Sequence, residues 1–254
     1  LAKLIPVFDI GAVVTNPDAP FGREHIMTAS PVAQLAIKHQ IPVLKPETFD
    51  QPLPKADLYI VFAYGRILPE QLLKNPCLGA INIHSSLLPK YRGTAPVQAA
   101  ILNGDPQTGV TLISMDNKMD HGPILAQRSF ALNPDDTLAS VTAKMAEVGA
   151  LLALEILPKY ANGEITPQVQ DESLASYTWK KAESKQQAYF DITKPPSVEQ
   201  LDRMTRAFYP WPNAWTIWNG KIIKFYPDKK IQMEGKKIVN WQQFLLGYPE
   251  FPLI

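Results

Sequence analysis

Gly79-Ala80-Ile81-Asn82-Ile83-His84 runs directly into Ser85-Ser86-Leu87-Leu88-Pro89-Lys90-Tyr91-Arg92-Gly93. An apolar run that ends in turn residues reads as a buried strand opening into a loop. Side chains two apart on a strand point to the same side. Asn82 and His84 therefore present an amide and an imidazole to one pocket at the carboxyl end of a strand, where open α/β sheets bind ligands. A second signal, Met119-Asp120-His121-Gly122-Pro123-Ile124-Leu125, follows another β-like run at 110–115. Amide, imidazole and carboxylate together suit a reaction that moves a proton and stabilises an oxyanion.

Outward from these segments, helical and β-like stretches alternate. A helix is expected at 31–40 and a short strand at 42–44. The near-continuous apolar run Ala56-Asp57-Leu58-Tyr59-Ile60-Val61-Phe62-Ala63-Tyr64 predicts a fully buried strand. Short helices follow at 68–73 and 95–102, strands at 110–115 and 124–132, and an amphipathic helix at 137–157. Asp135 and Asp136 stand where they can cap that helix. Residues 1–5 look like the end of a helix and 10–15 like a strand. A doubly wound domain opens with a strand instead, so an N-terminal strand is expected to be missing from the sequence.

The pattern predicts an α/β fold in two parts. A Rossmann-like doubly wound domain covers 1–166, a polar linker 167–187, and a small β-rich domain 188–254. Within the last part, Val198, Leu201, Thr205 and Phe208 mark a helix, and Asn219-Gly220 is a strong hairpin signal.

Composition bounds the answer further. Hydrophobic residues make up 46% of the 254 residues and charged ones 19%, which fits a globular protein with a real core. A net charge of +1 neither demands nor excludes a nucleic-acid partner. Cys77 is the only cysteine, so no disulfide framework exists within the chain and a reducing compartment fits. No apolar run is long enough to span a membrane. The four histidines, His25, His39, His84 and His121, show no metal-ligand spacing with acids or Cys77.

Together these motifs resemble the folate-dependent formyltransferases, and the likeness runs over nearly the whole chain. Three more segments carry it: Asn16-Pro17-Asp18-Ala19-Pro20-Phe21-Gly22-Arg23, Thr28-Ala29-Ser30-Pro31-Val32 and Arg206-Ala207-Phe208-Tyr209-Pro210-Trp211-Pro212. The resemblance implies that Asn82, His84 and Asp120 are catalytic and that Ser86, Leu87, Leu88 and Pro89 bind tetrahydrofolate. It implies formyl transfer from 10-formyltetrahydrofolate to the amino group of methionyl initiator tRNA, with no metal. Arg23 would enter the acceptor end of that tRNA. The family usually has lysines after that arginine, where this chain has Glu24 and His25. A monomer in the bacterial cytoplasm, or an organelle in a eukaryote, is expected. The resemblance also implies a C-terminal oligonucleotide-binding-type (OB-like) barrel. Too few residues follow Tyr226 to close one, so a stretch near 226–230 is expected to be missing or the barrel naturally shortened.

Plainer readings stand beside these. Asn82 and His84 could be a polar strand end satisfied by loop backbone. Asp120 could be a turn former before Gly122-Pro123, and Ser86 a loop hydroxyl. His121 is expected to be solvated, Cys77 to pack as a small apolar residue, and Trp211, Trp215 and Trp218 to be core. The acceptor could be a small amine, such as an amino-sugar nucleotide or glycinamide ribonucleotide. A non-catalytic RNA-binding protein is a third possibility, disfavoured by the complete Asn-His-Asp set.

Overall fold

The computed structural model describes residues 1–21 and 25–253. The elements run β1 (Val13–Val14), β2 (Ala19–Phe21), β3 (Ile26–Thr28), α1 (Pro31–Lys38), β4 (Val43–Leu44), β5 (Tyr59–Val61), α2 (Glu70–Leu73), β6 (Ala80–His84), α3 (Pro96–Asn103), β7 (Gln107–Ser114), β8 (Ile124–Ala131) and α4 (Leu138–Ala161). After them come α5 (Ser184–Gln187), α6 (Val198–Ala207), β9 (Ala214–Trp218), β10 (Lys221–Tyr226), β11 (Lys230–Met233), β12 (Val239–Asn240) and α7 (Trp241–Gly247). Two compact units result. One comprises Leu1–His84, Val110–Arg128 and Ala146–Ser173; the other Ser85–Gly109, Ser129–Met145 and Leu174–Ile254.

In the first unit, β6 runs parallel to β5 and antiparallel to β7, in a sheet ordered β5-β6-β7-β8. The α/β class holds, with a mixed sheet. β1 and β4 pair in parallel as a separate ribbon, Val13 opposite Val43. Residues 1–8 form turns closed by bonds such as Ile5 N to Leu1 O rather than a regular helix. The run 56–64 yields only the three residues of β5, half-buried, with Phe62 exposed beyond them. The reason is position: β5 is an edge strand with one partner, so its outer side is not covered. A hairpin absent from the sequence reading, β2–β3, pairs Phe21 with Ile26. Its strands are too short to show a period.

The helix α4 extends to Ala161, four residues past expectation. Its N-terminus is capped by Thr137 and Ser140, whose side chains accept each other's backbone N–H, rather than by Asp135. Within the first unit, a Cβ at Gly149 would sit 2.9 Å from Ile83 Cγ2 and 3.4 Å from Val110 Cγ1. A glycine in mid-helix costs about 1 kcal/mol against alanine. Here it lets the helix backbone approach the strand that carries Asn82 and His84.

The second unit holds the antiparallel sheet β12-β11-β10-β9. Asn219 and Gly220 both take positive φ, joining β9 to β10 with Trp218 opposite Lys221, as the dipeptide predicts. Tyr226 pairs with Lys230 across a tight turn, so the expected gap is spanned by three residues. The result is an open four-stranded meander rather than a closed barrel. Phe190, Ile223, Phe225, Ile231, Met233, Phe244 and Phe251 form its core. Trp218 packs edge-on against Phe251, but Trp211 is 55% exposed and is not core. Ser197 and Gln200 form a capping box on α6.

The polar stretch 167–187 is not loose. Gln168 exchanges backbone bonds with Ile124 in the first unit, and Arg92 bridges Ser176 and Thr178 in the second. It is held by main-chain bridges, which side-chain polarity alone cannot reveal.

Replacing Gly149 by leucine should overpack the α4–β6 contact at a cost of about 1–3 kcal/mol. The expected readout is a Tm lower by roughly 2–12 °C at this chain length, measured by thermal unfolding. An unchanged Tm would mean the helix does not seat as closely as described.

Candidate active site

β6 delivers Asn82 and His84 to one side, while Ile83 points the other way toward α4. The loop after β7 brings Asp120 to the same place. Asp120 Oδ1 accepts a hydrogen bond from Asn82 Nδ2 at 3.1 Å and lies 3.4 Å from His84 Nδ1. His84 is 5% exposed, and the Asp120 side chain 14%. One carboxylate oxygen thus faces both strand residues in a site with little water. With the carboxylate as acceptor, the NH₂ end of the Asn82 amide must face it. An Nδ1–H directed at Asp120 leaves Nε2 as the imidazole atom that can take or give a proton.

Asp120 reaches this position with φ +49°, in the left-handed region. That conformation costs an ordinary residue about 1–2 kcal/mol, a cost that Asp bears somewhat more readily than most. Three neighbours fix it. Gln170 Nε2 donates to Asp120 O at 2.9 Å and to Gly122 O at 2.8 Å. Gly122 lies so close to β7 that a Cβ would fall 1.7 Å from the Ser114 carbonyl oxygen. Asp116 accepts from Lys118 N at 2.9 Å and meets His121 Nδ1 at 2.6 Å. His121 Nε2 lies 3.5 Å from Glu172. His121, with its side chain 30% exposed, is thus held beside two carboxylates rather than free in solvent.

Ser86, Leu87, Leu88 and Pro89 follow His84 in the chain and belong by their contacts to the second unit. The Ser86 hydroxyl donates to Lys90 O at 2.6 Å, and Leu88 is buried. Beyond them Arg92 is fully buried, its Nη1 donating to Tyr177 Oη at 3.0 Å. Arg23 lies outside the described residues. Tyr64, after β5, has a buried hydroxyl with no hydrogen-bond partner among the described residues. Its carbonyl accepts from Asn16 Nδ2 at 3.0 Å. Cys77 is exposed rather than packed. Among the described residues, no three His, Cys, Asp or Glu side chains group to hold a metal ion.

Gln170 was not legible as a site residue. Pro167-Gln168-Val169-Gln170 alternates polar and apolar residues, a strand-like period of two, but lies in a stretch whose composition reads as linker.

The family profile described as Formyl transferase matches residues 6–157, and that described as Formyl transferase, C-terminal domain, matches 184–228. The chain belongs to the formyl transferase family. It is 43% identical over 291 aligned positions to the methionyl-tRNA formyltransferase of Myxococcus xanthus strain DK1622, covering 99% of this chain and 92% of that protein. It is 45% identical over 231 positions to the methionyl-tRNA formyltransferase of Roseiflexus sp. strain RS-1, covering 88% and 70%. Among solved structures, an N-formyltransferase from Helicobacter canadensis, in complex with folinic acid and dTDP-3-aminofucose, shares the fold. Its TM-score is 0.63 at 19% identity, covering 93% of this chain and 91% of that one.

Gly122→Ala is expected to be severe, because the clash is with backbone that cannot rotate away. The loop must move, taking Asp120 from Asn82 and His84. Turnover should fall by about 10²-fold or more, the scale of loss that a misplacement of about 1 Å can bring. Steady-state kinetics beside a circular dichroism spectrum separates this from global unfolding.

Proposed function

We propose that this chain transfers the formyl group of 10-formyltetrahydrofolate to the amino group of methionyl initiator tRNA. Family membership and whole-length likeness to methionyl-tRNA formyltransferases support the reaction and the acceptor. The observation that carries the mechanism is the convergence of Asn82 and His84 on Asp120 Oδ1.

The folate supplies an activated formyl group. Negative charge gathers on the formyl oxygen as the amine attacks, and a donor aimed there stabilises it. Asn82 has two amide N–H groups. Asp120 holds one, which orients the other, and this second N–H is the oxyanion donor. His84 Nε2 donates to the same oxygen or moves the proton that the amine loses and the leaving nitrogen gains. Asp120 fixes the imidazole through Nδ1 and offsets the imidazolium charge. The buried setting strengthens each of these interactions.

We assign folate binding to Ser86, Leu87, Leu88 and Pro89. The apolar side chains suit a flat ring and the loop's main chain suits its polar edge. We place the catalytic domain at 1–166, the connecting segment at 167–187 and the C-terminal domain at 188–254; the first family match, 6–157, lies within the first part and the second, 184–228, mostly within the last. We assign Arg23 to the tRNA acceptor end, and read the protein as a cytoplasmic monomer. Among the described residues, no helix is long and apolar enough to cross a membrane.

His84→Ala and Asn82→Ala should each lower kcat by about 10²–10³-fold, the usual cost of an oxyanion donor, with folate still bound. The assay is formation of formyl-methionine from charged initiator tRNA. Near-normal turnover in either variant removes the assignment. Arg23→Ala should raise KM for tRNA and leave folate affinity unchanged, because a guanidinium fork serves phosphates and bases. Kinetics with initiator and elongator tRNAs at two salt concentrations test it, since phosphate contacts make binding salt-dependent. Salt-independent kinetics with unchanged tRNA preference would favour a small amine acceptor.

A further inference from the structure

We infer that Gln170 is a positioning residue for Asp120. It gives both N–H groups of its amide to the carbonyls of Asp120 and Gly122, at 2.9 and 2.8 Å. This holds Asp120 in the left-handed backbone conformation that turns its carboxylate to Asn82 and His84. The kinetic part of the inference rests on the formyl-transfer reading above.

A non-glycine residue at φ +49° persists only where its surroundings fix it. Gly122 and the Asp116–His121 contact confine the loop from within its own segment. Gln170 acts from a segment about 50 residues away in sequence. It is itself held: Gln168, two residues earlier, exchanges backbone bonds with Ile124 at 2.7 and 2.8 Å. Gln170 is 5% exposed. If either peptide in 120–122 rotated, a carbonyl would leave Gln170 and a buried N–H would lose its acceptor. The amide therefore favours the one arrangement in which Asp120 faces the strand. Glutamate has the same length but no N–H to donate when ionised, and methionine has similar length and no donor.

The test compares Gln170→Glu and Gln170→Met with the full-length wild type, each also in an Asp120→Asn background. Both variants should lower kcat about 10–100-fold, with KM for formyl donor and tRNA within about twofold, as expected when only transition-state geometry suffers. In the Asp120→Asn background the same substitutions should cost less than about twofold, since residues that act through one another are not additive. A kcat within twofold of wild type, or an equal fall in both backgrounds, overturns the inference. A second measurement needs no substrate. Amide hydrogen exchange over 114–124 should quicken in both variants while that over 214–226 stays unchanged. Unchanged exchange over 114–124 overturns the inference as well. If the wild type transfers no formyl group to methionyl-tRNA, the functional reading falls, and exchange alone decides whether Gln170 holds the loop.

Discussion

A buried imidazole and a half-buried amide sit at the end of a strand that is otherwise apolar, and the site is organised around satisfying them. A buried amide or imidazole without a partner costs about 1–3 kcal/mol. Asp120 meets both with one oxygen. It does so from a left-handed backbone, which its loop holds in place. Gly122 allows that loop to lie against β7, and Gln170 ties its carbonyls. Behind the strand, Gly149 brings α4 within reach of Ile83, the residue between the two polar ones. Under the proposed reaction, structural demand and catalytic geometry coincide: the arrangement that satisfies these polar groups is the one that would present them to a reacting carbonyl.

Much of this was legible in the sequence because it is local. Period-two spacing put Asn82 and His84 on one face, and the next apolar run put Asp120 at a strand end. Asn219-Gly220 announced its hairpin because both residues tolerate positive φ. What was not legible depends on partners distant in the chain. The 56–64 run has strand composition along its whole length, yet edge position leaves only Tyr59–Val61 paired. His121 reads as a loop residue until Glu172 and Asp116 are seen on its two ring nitrogens. Gln170 sits in a polar stretch, and nothing in that composition tells a hydrogen-bonded tether from a linker. Trp211 is apolar enough for a core, but it stands in a turn after α6 and remains exposed.

The segment from 167 to 187 shows how little polarity says about order. Its first residues complete the Asp120 loop in one unit, and its later ones bracket Arg92 in the other. Arg92 is a fully buried cation whose guanidinium meets the Tyr177 hydroxyl and ring. Leaving such a group without partners would cost several kcal/mol. The stretch is therefore ordered by its main-chain bonds and by a few side chains such as Gln170, although most of its residues are exposed.

The open sheet of the second unit has a bearing on how the protein behaves in company. An antiparallel meander leaves two outer strands, and a bare outer strand invites another chain to extend it. Here the outer side of β9 is taken up by the chain's own residues: Trp215 exchanges backbone bonds with Ala188 and Phe190, and Thr216 Oγ1 donates to Phe190 O. On the opposite side, β12 is two residues long and turns at once into α7. Little backbone is left along either margin to template strand addition. An open sheet margin that would invite aggregation is thus guarded by the chain's own flanking segments, which leave few opportunities to mispair.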